Sequence, residues 1–237
     1  MLLRAIRVRP GDDDRRWPFT VPAIAAVARE GLRLTSSFTV LLGANGSGKS
    51  TLVEAIAEAY GLDVRGGHGA RRYAVEQAGT PLGGALDLEI ATGGHAVAGR
   101  SAGFFLRAET ALGVLSFMSG QQVPGYGPPP DEVSHGESYL AAIEGRFREP
   151  GLYLLDEAEG PLSFGNTLLL LDRLRWLADQ PGTHVVYATH SPMVAAVPEA
   201  QIFELDDRGI HERSFTDLEM VAQWRAFLDR PDLFFAD

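Results

Sequence analysis

The stretch GANGSGKST (residues 43–51) matches the pattern G-x-x-x-x-G-K-[ST] at every fixed position. The apolar run FTVLLG (38–43) precedes it, and KSTLVEAIAEAYG (49–61) follows it with helical character and a terminal glycine. A strand before the glycines and a helix after them distinguish a phosphate-binding loop from a glycine-rich turn that fits by chance. The backbone N–H groups of residues 46–51 are then expected to point inward at an anion. The stretch therefore predicts a nucleotide phosphate site within an α/β fold.

The side chains of this loop predict how ATP and Mg²⁺ would be bound. Lys49 is expected to reach the β- and γ-phosphates as a catalytic cation, and the Ser50 hydroxyl is expected to bind Mg²⁺. Thr51 is expected to contact the α-phosphate. The other positions predicted to bind the cofactor are Asn45, Gly46, Ser47 and Gly48.

A second apolar run, LYLLDEAEG (152–160), ends in adjacent carboxylates. Asp156 is placed to hold Mg²⁺ through water, and Glu157 to polarise a water for attack on the γ-phosphate. Two acids at a strand end can also be a solvated turn, but the phosphate loop earlier in the chain favours the catalytic interpretation. The residues that follow, AEGPLS (158–163), predict a turn that could contact a second subunit.

A third apolar run, THVVYATH (183–190), ends at His190. A histidine at a strand end is more often structural than functional. Here, however, the predicted strands end at Gly43, Asp156 and His190, and ligands of open α/β sheets lie outside the carboxyl ends of the strands. His190 is therefore predicted to sense the γ-phosphate and to take part in catalysis.

Apolar strands that alternate with helices predict a mostly parallel central sheet with helices on both faces. The alternating run LLRAIRVR (2–9) predicts an additional antiparallel β element near the N-terminus. The segment GALDLEIAT (84–92) fits a strand or a helix. Other predicted elements are a strand end at 103–109, helices at 136–148, 166–180 and 216–229, and a hairpin at 200–215 that turns at 206–209.

Composition excludes several classes of function. The 237 residues include 31 acidic and 21 basic side chains, a formal net charge of −10, which argues against nucleic-acid binding by bulk charge and leaves a local basic patch open. The absence of cysteine excludes disulfides and thiolate chemistry. No apolar run reaches about 18 residues, so no membrane span is expected. The N-terminus is too charged for a secretory signal, and we expect a soluble cytoplasmic protein.

The order of these motifs resembles the ATP-binding-cassette (ABC) ATPases, in particular small single-domain bacterial ATPases with an SHGES signature. The resemblance covers almost the whole chain. The segments that carry it are WPFTVPA (17–23), GANGSGKST (43–51), GFFLRAE (103–109), SHGES (134–138), LYLLDEAE (152–159) and ATHSP (188–192).

The resemblance implies an ATP-sandwiched homodimer. In such a dimer SHGES stands in the signature position, and Ser134 and Gly136 would face the γ-phosphate bound by the partner subunit. Ser134 and Glu137 also fit an ordinary capping box, S-x-x-E. The two interpretations are compatible, because a helix N-terminus presents free N–H groups to an anion or to a cap.

We interpret residues 1–237 as one ABC-type ATPase domain. Residues 1–61 would supply the N-terminal strands and the phosphate-loop helix. An insertion with the signature helix would occupy 62–150. The acidic pair, the histidine strand and the C-terminal helix would follow in 151–237.

The sequence departs from the family pattern at three places. The signature is not the L-S-G-G-Q form usual in transporters, because His135 and Glu137 replace two of its residues, and DEAE (156–159) stands where the relatives have DEPE.

The third departure is a missing glutamine. In the family, a glutamine in one loop normally couples the metal to the partner, and no glutamine of this sequence is well placed for that loop: Gln77, Gln121 and Gln122 lie in poor positions. Arg107 and Glu109 are possible substitutes for it. The adenine contact is also open. Trp17 or Phe19 could stack on the base, but either could equally be a core aromatic.

Several functions use these residues. The first is ATP hydrolysis by a sandwich dimer that acts on an unknown effector, and the second is an ATP-dependent dimerisation switch with little turnover. A transporter ATPase subunit is disfavoured by the unusual signature, by THSP after the third strand and by the missing glutamine. Chromosome-type ATPases need coiled-coil arms, which about 80 residues without heptads cannot form. A small-molecule kinase would not need the acidic pair and the histidine strand.

Overall fold

The computed structural model describes residues 1–9, 16–64, 67–68, 79–91, 102–107 and 147–235. Several sequence predictions lie outside these residues. They are the SHGES segment with Ser134 and Gly136, the helix predicted from 136 as far as 146, and the side chains of Glu109, Gln77, Gln121 and Gln122.

The described residues form ten strands and six α-helices. The strands are β1 (Leu3–Val8), β2 (Leu32–Arg33), β3 (Phe38–Gly43), β4 (Gly67–His68), β5 (Leu86–Ile90), β6 (Gly103–Arg107), β7 (Leu152–Asp156), β8 (His184–Thr189), β9 (Gln201–Asp206) and β10 (Gly209–Arg213). The helices are α1 (Pro22–Glu30), α2 (Lys49–Tyr60), α3 (Pro81–Ala85), α4 (Phe164–Ala178), α5 (Pro192–Ala195) and α6 (Glu219–Asp229). Short 3₁₀ turns occupy Phe215–Asp217 and Pro231–Phe234.

Within the described residues there are two sheets. The central one has seven strands in the order β10-β9-β3-β8-β7-β6-β4. Its five inner strands are parallel, and β10 and β4 pair antiparallel at its edges. A second sheet, β2-β1-β5, is antiparallel throughout. The predicted fold class, a mostly parallel sheet with an antiparallel N-terminal β element, is confirmed.

The central sheet is buried on both faces. Alternate residues of a strand point to opposite faces, so in β8 Val185 and Tyr187 join one core, while Val186 and Ala188 join the other. The first core is closed by α4, α5 and the start of α6. The second is closed by α1, α2 and the antiparallel sheet. This is why the central strands β3, β7 and β8 read as largely apolar runs.

Three local details differ from the sequence predictions. Helix α1 was not predicted, because Val21 gives no side-chain cap; its only signals are Pro22 at the first position and Gly31 after the end, at φ 71°. The undecided segment 84–92 contains both element types, since α3 ends at Ala85 and β5 begins at Leu86. The helix predicted to reach 148 is wrong at its end, because residues 147–150 form turns.

Phe147 is nevertheless buried. Its ring lies against Phe104 and Tyr153, with centroid separations of 5.8 and 4.9 Å. Phe147 therefore packs the segment that precedes β7 against the first core. No helix in the described part of the chain has the length and apolar character needed to cross a membrane.

Acid is expected to destabilise the fold through His184. This side chain is fully buried at the start of β8, with Nε2 3.0 Å from the Thr39 hydroxyl oxygen. Burial, followed by the N-terminal ammonium, lowers the pKa of His184 to about 3. The folded protein therefore keeps this ring neutral at pH values where the unfolded chain, with a histidine pKa of about 6.5, takes up a proton.

The free energy of unfolding is therefore highest above the pKa that His184 has in the unfolded chain, and it decreases as the pH falls below that pKa. At about 1.4 kcal/mol for each pH unit, wild type should lose about 2 kcal/mol more than His184→Gln between about pH 7 and about pH 5. Urea denaturation at both pH values measures this difference. Equal pH dependence in the two proteins would mean that His184 does not control acid stability.

Candidate functional site

The carboxyl ends of the parallel strands bring the predicted functional residues to one edge of the sheet. Strand β8 lies between β3 and β7, and the register pairs Leu42 with Thr189 and Ala188 with Asp156. The loops that follow these strands carry Lys49 and Glu157. The sheet thus joins segments of sequence that are more than 100 residues apart, as the alternation of strands and helices predicted.

Two glycines of the phosphate loop, Gly46 and Gly48, have backbone conformations that other residues rarely adopt. Gly46 and Gly48 have φ values of 82° and 100°, and Gly48 is the N-cap of α2. Their left-handed conformation turns the loop around the N-terminus of α2, where the free N–H groups and the helix dipole favour an anion. Among the described residues other than Gly46 and its chain neighbours, no atom lies within 4 Å of the position that a Gly46 Cβ would take, so these residues leave this side of the loop open.

Lys49 is buried beneath this loop. Its ammonium donates hydrogen bonds to the carbonyl oxygens of Gly43 and Ala44, at 2.7 and 3.0 Å. Burial lowers the pKa of Lys49, while the carboxylates of Glu157, Asp156 and the more distant Glu159 act in the opposite direction. The loop thus holds a cation next to its own N–H groups, which is an arrangement suited to phosphate.

Ser50 and Asp156 form the part of the site that fits a divalent cation. The Ser50 hydroxyl donates to Asp156 Oδ1 at 3.0 Å, and the carboxylate is buried at the end of β7. Burial raises the pKa of Asp156; the Ser50 hydrogen bond and Arg107 oppose this rise, and two nearby acids add to it. Hydroxyl and carboxylate oxygens are the hard ligands that Mg²⁺ takes.

The described residues contain no group of three or more acidic, histidine or cysteine side chains arranged to hold a metal. Mg²⁺ is usually held by one or two carboxylates together with water and substrate phosphates. Ser50 and Asp156 beside the phosphate loop therefore fit Mg²⁺ that arrives with a nucleotide.

Glu157 and His190 lie in contact at the same edge. Glu157 Oε1 is 3.1 Å from His190 Nδ1, and both side chains are partly accessible to solvent. Glu157 has a φ of 51°, which is uncommon for a residue with a side chain, and its N–H donates to the Ala188 carbonyl at 2.9 Å. The backbone bond between the ends of β7 and β8 thus fixes where this carboxylate emerges.

A hydrogen-bonded network behind this pair was not predicted from the sequence. The buried Tyr187 hydroxyl donates to Glu159 Oε2 at 2.8 Å, and the Thr189 hydroxyl donates to Glu159 Oε1. Thr189 Oγ1 also accepts the Ser191 N–H at 2.8 Å. The network ties the turn after β7 to the end of β8 and so restricts Glu157 relative to His190. Its sequence signal is Glu159, the third acid of DEAE (156–159), in a segment that has the appearance of a solvated turn.

A cleft of about 400 Å³ opens above the phosphate loop. Trp17 lines this cleft and is 62% exposed, whereas Phe19 is only 6% exposed and lies in the second core. The two aromatics that the sequence left open are therefore distinguished by the structure. Trp17 is free to stack on a ligand at the mouth of the cleft, and Phe19 is a core residue.

Arg107, one of the two residues that the sequence offered in place of the missing glutamine, lines this cleft. Its Nη1 atom is 2.7 Å from Glu54 Oε1, and its Nε atom is 3.7 Å from Asp156 Oδ2. The end of β6 therefore contributes a cation next to the predicted metal ligand. Glu109, the other residue proposed for this place, lies outside the described part of the chain.

Two solved structures resemble this arrangement of strands and helices. The fold is that of an ABC-type ATPase. One structure is an ABC transporter of metal-chelate type in an inward-facing conformation, with a TM-score of 0.50 and 15% identity over 96% of this chain and 89% of that one. The other is cbiO1 from Clostridium perfringens, part of the ABC transporter complex cbiONQ, with a TM-score of 0.50 and 16% identity over 86% and 88%.

At these identities the likeness concerns the ABC-type fold alone. No protein-family model and no curated protein matches the chain. Function must therefore be argued from the residues at the sheet edge, and the phosphate loop, the acidic pair and the histidine provide that argument.

Proposed function

We propose that this protein binds Mg-ATP and hydrolyses it between the β- and γ-phosphates. The observation that carries the proposal is the convergence of three strand ends: Lys49 in the phosphate loop, Asp156 bonded to Ser50, and Glu157 in contact with His190. Phosphoryl transfer of this kind depends on positioning and charge neutralisation.

Each group has a role that its contacts support. Lys49 exchanges the carbonyls of Gly43 and Ala44 for phosphate oxygens. Ser50 and Asp156 hold Mg²⁺, which when bound offsets charge on the β- and γ-phosphates. The backbone N–H groups from Asn45 to Thr51, which include those of Gly46, Ser47 and Gly48, donate to phosphate.

Glu157 is the proposed general base, since its partly exposed carboxylate can accept a proton from an attacking water. His190 holds this carboxylate through Nδ1 and contacts the γ-phosphate. Trp17, exposed at the mouth of the cleft, stacks on the adenine. Because ATP is available in the cytoplasm, we also propose a cytoplasmic location for this protein.

A homodimer that encloses ATP between two subunits is the second part of the proposal. It rests on the sequence resemblance of SHGES to the signature segment, in which Ser134 and Gly136 would contact the partner's γ-phosphate. The ABC-type fold and the open loop face at Gly46 support this arrangement. The dimer would act on an effector protein whose identity the site does not define.

Two alternatives share these residues. One is an ATP-driven dimerisation switch with little turnover, and the measured hydrolysis rate separates it from the first. The other is the ATPase subunit of a transporter, which is favoured because the two similar structures are an ABC transporter and a part of an ABC transporter complex. The unusual signature and the absence of a well-placed glutamine argue against it, and purification with or without a membrane protein distinguishes the two.

The dimer is tested by replacing Ser134 with arginine. The variant should bind ATP within about threefold of the wild-type affinity, but it should hydrolyse ATP about tenfold or more slowly. The bulky arginine would replace the Ser134 hydroxyl, which is the proposed hydrogen-bond donor to the γ-phosphate bound by the partner subunit. Phosphate release and calorimetry measure the two quantities in parallel. Hydrolysis at the wild-type rate would show that SHGES is only a helix cap.

A further inference from the structure

Arg107 connects the two sides of the metal position. It is the last residue of β6, and the parallel register with β7 places it opposite Asp156. Its Nη1 atom lies 2.7 Å from Glu54 Oε1 on α2, and its Nε atom lies 3.7 Å from Asp156 Oδ2. One guanidinium therefore interacts with an acid of the phosphate-loop helix and with the proposed metal ligand.

The contact with Glu54 is the shorter of the two. A separation of 2.7 Å is that of a charge-assisted hydrogen bond, whereas 3.7 Å is too long for a hydrogen bond. The Nε atom is buried and has no hydrogen-bond partner among the described residues. A buried donor without a partner costs free energy. Arg107 is thus held by Glu54 while its other side faces Asp156 and the cleft.

The charge around the cleft gives this arginine a distinct role. Glu54, Glu157 and Arg107 all interact electrostatically with Asp156. Among the described residues that line the cleft, Lys49 and Arg107 are the cations. Metal-free ATP is a polyanion, so the acids near Asp156 oppose its entry, and a cation beside them reduces that opposition.

We propose that Arg107 is a positioning residue that sets the metal dependence of nucleotide binding. Its guanidinium offsets Glu54 and Asp156, which strengthens the binding of metal-free ATP. It also competes with a divalent cation for Asp156 and thereby weakens metal binding to the nucleotide-free site. The inference rests on the proposed function, because it assigns Asp156 to the metal and the cleft to ATP.

Two neutral substitutions in the same ion pair test this role. Arg107→Met removes the cation, and Glu54→Gln removes an anion while keeping the shape of the side chain. Calorimetry gives the Kd of ATP with EDTA and with excess Mg²⁺. Electron paramagnetic resonance with Mn²⁺ as the probe gives the metal affinity of the nucleotide-free protein.

Arg107→Met should weaken metal-free ATP binding about tenfold, change Mg-ATP binding by less than about threefold and tighten Mn²⁺ binding, as expected for the loss of one partly exposed cation. Glu54→Gln should leave metal-free ATP binding unchanged or tighten it. Arg107→Lys should recover part of the metal-free affinity, because it restores the charge but not the two-sided contact.

A structural role would instead weaken both forms of ATP binding to the same extent in Arg107→Met and Glu54→Gln, and that result would overturn the inference. Thermal melts show whether the variants fold. If Arg107→Met does not fold, the double variant Arg107→Met/Glu54→Gln, which removes both charges of the pair, takes its place. Its affinity for metal-free ATP should lie about tenfold below that of Glu54→Gln. Equal affinities would also overturn the inference.

The failure of the proposed function would have a different result. In that case wild type would not bind ATP, either in the presence of EDTA or in the presence of excess Mg²⁺. A different result would show that only the inference about Arg107 is wrong. Wild type would bind ATP and Lys49→Ala would not, but the ratio of metal-free to Mg-ATP affinity would be the same in Arg107→Met as in wild type.

Discussion

Lys49→Ala is expected to weaken ATP binding by about a hundredfold or more, since charge-assisted hydrogen bonds to phosphate contribute about 1.5–3 kcal/mol each. The loop carbonyls that Lys49 holds, Gly43 and Ala44, would lose their donor. The phosphates would lose the cation that lies within the loop. Calorimetry with Mg-ATP measures the change, and an unaltered Kd would contradict the assignment of the phosphate loop.

Lys49→Arg is the matched control, because it keeps the charge but replaces the compact ammonium with a planar guanidinium. It should bind ATP more weakly than wild type and more tightly than Lys49→Ala. Comparable melting temperatures would show that the loss in Lys49→Ala is not due to unfolding.

The chain itself offers a second readout. Lys49 is the only lysine in the sequence. An amine-reactive reagent therefore modifies one ε-amine, in addition to the N-terminus, and peptide mass spectrometry locates it. Mg-ATP should slow modification of Lys49 and leave the N-terminus unaffected. Equal rates with and without Mg-ATP would place Lys49 outside the nucleotide site.

Glu157→Gln is expected to lower kcat by about 10²–10⁴-fold, the usual contribution of a general base. ATP binding should stay within about threefold of wild type, because the amide occupies the same space and the phosphate loop is untouched. The variant would therefore hold ATP without turning it over. Single-turnover phosphate release measures the rate.

The same variant tests the sandwich dimer. Light scattering of Glu157→Gln should show a monomer without nucleotide and a dimer with Mg-ATP, since the trapped ligand would hold two subunits together. Glu212→Gln is the matched control, as Glu212 is an exposed acid on the outer strand β10. It should hydrolyse ATP at the wild-type rate. A mass that ignores ATP in Glu157→Gln would contradict an ATP-driven dimer.

The geometry explains why Glu157 and not its neighbour is proposed as the base. Asp156 is buried and accepts the Ser50 hydroxyl, so it is committed to the metal position. Glu157 is partly exposed and contacts His190. Glu159, the third acid of this turn, accepts hydrogen bonds from Tyr187 and Thr189 and so belongs to the supporting network.

Much of the fold was predictable because its signals are local. The bounds of β3 agree with the sequence prediction, and α2 ends at the predicted glycine, Gly61, which adopts φ 90°. The hairpin of β9 and β10 turns at the predicted residues. A strand, a tight turn or a helix end depends on neighbouring residues, so hydrophobic periodicity and glycine position suffice to locate it.

Other features depend on residues that are distant in the sequence. Nothing local distinguishes Trp17 from Phe19, yet one is exposed at the cleft and the other is buried. The sequence offers Arg107 and Glu109 alike as substitutes for the missing glutamine, and only strand pairing places Arg107 opposite Asp156. Helix α1 lacks a polar cap and is stabilised by packing against β1 and β10.

The sequence by itself determined the phosphate loop, the acidic strand end, the histidine strand and the parallel order that unites them. Each of these is a short pattern whose chemistry is carried by adjacent residues. Only the tertiary structure decided which aromatic meets the cleft, which acid supports and which acts, and which cation lies beside the metal position. Those outcomes arise from burial and from the register between strands, which are properties of the packed sheet as a whole.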